Sequence, residues 1–81
     1  MNLIYKKVIL PNKNTLYYSR YKDVSLGITY LKESGIYEAV FVTRKKAECR
    51  KQECREKQEA ELWLYELLSD YLVKYRREYE N

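Results

Sequence analysis

Chemistry in this chain would come chiefly from lysine, arginine, tyrosine and two cysteines. There is no histidine, which removes the commonest general acid–base and the commonest metal ligand. The cysteines are spaced Cys49-x4-Cys54. A structural zinc site needs a full set of Cys or His ligands, and a redox dithiol needs Cys-x-x-Cys. Neither pattern is met, so both thiols are expected to be reduced and ordinary, with a contact between two copies of the chain as the other option. No metal and no cofactor are expected.

Carboxylates offer little more. Asp23, Glu33 and Glu38 are the acids of the first 46 residues, and the later ones alternate with bases in the manner of a solvated face. The only glycines are Gly27 and Gly35, too few for a phosphate-cradling loop. Gly35-Ile36-Tyr37 matches the first half of the GIY-YIG nuclease signature, but no Tyr-Ile-Gly follows it. A helix cap followed by a strand start accounts for the tripeptide. No catalytic residue is assigned. A histidine-free ribonuclease working through Lys, Arg and Tyr is the only enzymatic option, and it ranks third.

Charge patterning points to binding instead. The formal net charge is +4. Residues 1–46 carry nine bases and three acids, and residues 47–81 carry seven bases and nine acids. Arg44-Lys45-Lys46 is the only run of three like charges, and Arg50, Lys51 and Arg55 follow it. Tyr17 and Tyr18 lie among Lys6, Lys7, Lys13, Arg20 and Lys22. Tyrosine and tryptophan supply large contact areas with polar tips, as interface hot spots require. Ten tyrosines are more than a thin core can hold. The expected partner-binding residues are therefore Arg44, Lys45, Lys46, Arg50, Lys51, Arg55, Tyr17, Tyr18 and Trp63. The leading expectation is a non-enzymatic regulator or inhibitor that docks on a larger protein, acidic or itself nucleic-acid-handling. The alternative is direct binding of nucleic acid, with tyrosine stacking and basic residues on phosphate.

The elements that position these residues can be read from pattern. Residues 3–10 and Thr15–Tyr21 are β-prone and separated by Pro11-Asn12-Lys13-Asn14, a turn composition, so they predict an antiparallel hairpin. Asp23 or Ser25 can cap a short helix with Val24, Gly27, Ile28 and Leu31 on one face and Gly35 at its end. Ile36–Thr43 predicts a strand. From about Lys46 to Tyr79 there is no Gly or Pro, and strong helix formers predict one long helix. Its stripe of Ala60, Leu64, Leu67, Leu68, Tyr71, Leu72, Tyr75 and Tyr79 should pack on the sheet. Leu62, Trp63 and Val73 lie off that stripe and could form a partner surface or a homodimer seam. With Val40 and Phe41, residues Leu64, Leu68 and Leu72 are the expected core.

The expected fold is thus α+β: a three-stranded antiparallel sheet in the connectivity β-β-α-β-α, order 2-1-3, with one short helix and one long C-terminal helix. It forms a single small domain over residues 1–81, with the sheet and short helix in residues 3–43 and the long helix in about 46–79. Hydrophobic residues at 46% and charged residues at 35% fit a soluble globular domain. No apolar run approaches a membrane span, and the first residues show no leader pattern, so a cytoplasmic protein is expected. Ten tyrosines against one phenylalanine resemble the coding bias of AT-rich genomes. That composition suggests a bacteriophage or mobile element, and hence the cytoplasm of a host cell.

Overall fold

The computed structural model describes residues 3–75. Five strands and one helix follow one another along it: β1 (Lys6–Ile9), β2 (Thr15–Tyr21), β3 (Val24–Leu31), β4 (Ile36–Thr43), β5 (Glu48–Cys54) and α1 (Lys57–Lys74). Every strand pairs antiparallel with its neighbour in sequence, so the sheet order is β1-β2-β3-β4-β5. The class is α+β, but the sheet has five strands rather than three and there is one helix rather than two.

Two expected helices are corrected. Residues 24–31 form β3, not a short helix. Apolar residues at i, i+3, i+4 and i+7 are present there, but so is the alternation Val24, Leu26, Ile28, Tyr30. The β-branched Val24, Ile28 and Thr29 favour the period of two. All of Val24, Leu26 and Ile28 are buried, while Ser25, Gly27 and Thr29 between them face the other side. The long helix from residue 46 is likewise a turn, a strand and a shorter helix. A turn over residues 44–47 closes with Ala47 N–H donating to the Arg44 carbonyl at 3.3 Å, and Ala47 sits at φ +49°. β5 then pairs with β4 from Thr43↔Glu48 to Tyr37↔Cys54. Tyr79 and the rest of residues 76–81 lie outside the described residues. With β3 inserted, the order 2-1-3 gives way to a plain meander.

The other expectations on packing mostly hold. β2 and β4 have the expected limits. Helix α1 lies across one face of the sheet, with Ala60, Leu64, Leu68 and Tyr71 buried against Val24, Leu26, Ile28, Ala39, Phe41 and Cys54. Leu67, Leu72 and Tyr75 pack partly against this core, as does Trp63. Leu72 is only partly buried, and Val40 belongs to the opposite face of the sheet. Leu62 and Val73 are 58% and 75% exposed. At the start of the helix, Glu56 makes no side-chain cap, and Lys57 pairs with Glu61 at 3.2 Å. Among the described residues no helix is long and apolar enough to cross a membrane.

Candidate functional site

One face of the sheet is left uncovered by the helix. Cross-strand partners in an antiparallel sheet point to the same side, so the registers define this face row by row. One row across all five strands is Lys6, Tyr18, Gly27, Val40 and Lys51. The row beside it holds Arg20, Ser25, Val42 and Cys49. On its other side are Val8, Leu16, Thr29, Glu38 and Glu53. Bases therefore gather toward the end of the sheet where β2 turns into β3 and β4 turns into β5.

Asp23 joins those two turns. Its carbonyl accepts the Arg44 N–H at 3.2 Å. Its Oδ2 accepts the Lys45 N–H at 3.3 Å and the Tyr71 hydroxyl at 3.2 Å. One acidic residue thus ties both turns to each other and to the last turn of α1. Around it stand Lys22, Arg44, Lys45 and Lys46. The Arg20 Nε–H donates to the Lys22 carbonyl at 3.1 Å, which draws the guanidinium to the same end. Lys46 Nζ lies 4.3 Å from the centre of the Tyr75 ring, a cation–π approach. Lys22 at φ +56° and Ala47 at φ +49° both adopt the left-handed region, which disfavours side chains other than Gly, Asn and Asp. Both turns at this end are therefore held in an unfavourable conformation by the pairing around them.

The nine expected binding residues separate. Arg44, Lys45 and Lys46 are together, at a hairpin tip rather than a helix start. Lys51 and Tyr18 lie on the open face. Arg50 points to the helix side, where Glu48, Asp70 and Lys74 line the same hollow. Arg55 falls between β5 and α1, at the opposite end of the strand from the turn. Tyr17 is on the helix side, under Lys57 Nζ at 4.2 Å from its ring centre, and Trp63 packs on the core.

Most tyrosines are consumed by packing. Tyr30 stacks against Tyr37, and Tyr71 meets both Phe41 and Tyr75. Tyr18 and Tyr65 are the exposed tyrosines among the described residues, at 40% and 43%. Asp23, Gly27 and the grouping of Arg20 and Lys22 with Arg44-Lys45-Lys46 were not foreseen. The signal for Asp23 was Lys22-Asp23 between two β-prone runs, a polar two-residue hairpin turn.

Nothing in the described residues assembles a metal or thiol site. No group of three or more His, Cys, Asp or Glu could hold an ion. Cys49 is exposed on the open face and Cys54 is buried. Burial, and after it the charge of Glu59, pushes the Cys54 thiol up, the direction that makes a thiol inert. The chain has no significant match to any protein-family model, curated protein or solved structure.

Proposed function

We propose that this protein is a non-enzymatic nucleic-acid-binding protein that engages phosphate through the basic end of its sheet. The observation that carries this is the Asp23 clasp, which fixes two lysine- and arginine-bearing turns side by side. Lys22, Arg44, Lys45 and Lys46, with Arg20 beside them, form one electropositive rim that continues onto the open face as Lys6 and Lys51. Fixed cations gathered in this way release counterions from a phosphate backbone when they bind it.

We favour this reading over docking on a larger protein for one reason. Surplus tyrosines and Trp63 support docking, but most of those described are half-buried against the core. Protein–protein interface cores are also depleted in lysine, whereas nucleic-acid interfaces are polar and strongly positive. Docking on an acidic protein keeps one separate observation in its favour. Leu62, Tyr65 and Val73 form an exposed apolar stripe along the outside of α1, a surface that would equally suit a second copy of the chain.

Charge reversal tests the proposal. The variant with Arg44, Lys45 and Lys46 all changed to Glu should keep its thermal midpoint within a few degrees, because exposed charges add little to stability. It should lose binding to a fluorescent oligonucleotide, measured by anisotropy. Unchanged oligonucleotide affinity in that variant would refute phosphate recognition at this rim. In that event the stripe on α1 becomes the leading surface.

A further inference from the structure

Gly27 is the glycine that the fold does not need. Its backbone is outside the left-handed region, unlike that of Gly35 at φ +72°. A Cβ placed on it would meet only Leu16 Cδ1, at 3.8 Å, an ordinary van der Waals distance. Glycine inside a strand weakens it, through lost packing and the extra freedom of the unfolded chain. So a stability cost is carried at the centre of the sheet with no local steric reason. What the missing side chain does is leave bare backbone beside Tyr18, its direct cross-strand partner.

On the other side of Tyr18 the surface also falls away. A hollow of about 540 Å³ is lined by Ile4, Lys6, Tyr18, Ser19 and Arg20. The aromatic ring therefore stands between two low areas. Along the same row, Lys6 and Lys51 mark the two edges of the sheet, four strand spacings or about 19 Å apart. Glu38 and Glu53 face each other in the next row and close the far side to a polyanion. The bases on this face thus lie along the Lys6–Lys51 row and at Arg20, toward the basic rim.

We infer that Tyr18 and Gly27 form a stacking site for a base of single-stranded nucleic acid, with Lys6 and Arg20 beside the phosphates of that nucleotide and Lys51 placed for a phosphate further along the strand. This rests on the proposed phosphate recognition and adds the form of the ligand. The arrangement joins a charged track to an aromatic platform, the two components of sequence-tolerant single-strand binding. A paired base inside a duplex presents no free face to the ring. The glycine keeps the neighbouring position low enough for a flat heterocycle to lie against it.

The test uses a labelled oligodeoxythymidylate of about 10 nucleotides, within the site sizes of single-strand binders. Tyr18→Ala should weaken its binding by about 5- to 150-fold, as loss of one stacked base does, and Tyr18→Phe should restore it to within about twofold. Gly27→Val should hold or raise the thermal midpoint and still weaken binding, with Gly27→Ala, whose methyl is shown to fit, as the milder counterpart. A duplex of the same length should bind more weakly than the single strand. Full affinity in Tyr18→Ala or in both Gly27 variants overturns the stacking site, as does preference for the duplex. If the Arg44/Lys45/Lys46 reversal abolishes binding while the Tyr18 and Gly27 variants do not, phosphate recognition stands and only the stacking site falls.

Discussion

Tyr5 shows what a single side chain contributes at the margin of this core. Its ring packs against the buried cluster, but its buried hydroxyl has no hydrogen-bond partner among the described residues. Burial, and then the nearby charge of Glu61, pushes the phenol up to about 12 from its usual 10. The folded protein therefore holds this proton more tightly than the unfolded chain. The resulting stability is complete below pH 10 and falls as pH rises from 10 towards 12. Tyr5→Phe removes an unpaired hydroxyl without opening a cavity. It should leave the protein as stable or up to about 1 kcal/mol more stable at neutral pH. It should also flatten the loss of stability between pH 10 and 12 in denaturant titrations. A substantially less stable variant would show that the hydroxyl is satisfied after all.

At the scale of elements, legibility followed the apolar signal. β2 and β4 alternate or carry apolar residues on both faces, and their limits were readable. The buried stripe of α1 was readable too, because Ala60, Leu64, Leu68 and Tyr71 recur at helical spacing. β5 gave no such signal. It is an edge strand that carries Glu, Arg, Lys and Gln across both faces, a composition that blunts an edge against pairing with another chain. Those same residues are good helix formers, so propensity pointed the wrong way. The start of α1 was equally silent, since Glu56 is not a capping residue type. β3 offered both periods at once, and burial on the sheet decided it. The candidate binding residues stand out by type, but their grouping depends on the sheet order, and β3 and β5 carry no signal that separates strand from helix. Leu68 is fully buried between α1 and the sheet, so Leu68→Ala should destabilise by about 2–5 kcal/mol. A drop of less than 1 kcal/mol by urea denaturation would mean that α1 holds the sheet less firmly than its burial indicates.

The whole molecule is polarised. Among the described residues, the end bearing the β2–β3 and β4–β5 turns is basic, one face of the sheet is covered by α1, and the other is open. A net charge of +4 understates the field at the rim, because many of the acids sit in β5 and α1. Attraction of this kind acts over about a Debye length and weakens as salt screens it. If about four phosphates are neutralised, affinity for a single strand should fall about 50-fold between 50 and 200 mM salt, from a slope of about −0.7 per contact. Anisotropy titrations across that range would give the slope directly. A flat dependence would leave no role for the rim in recognition.

The unbroken sequential pairing of the strands has a consequence in time as well as in space. Each strand needs only the one just before it, so hairpins can form in the order of synthesis, with short loops to close. The helix covers β3, β4 and β5, yet it is the last described element of the chain. Until Leu64 and Leu68 arrive, Leu26, Ile28 and Phe41 present an apolar sheet face to water. During that interval the nascent chain has two bare sheet faces, and the one destined for the core is the stickier. The charged β5, already in place along the edge next to β4, limits pairing of that exposed sheet with its neighbours on a polysome while it waits for its helix.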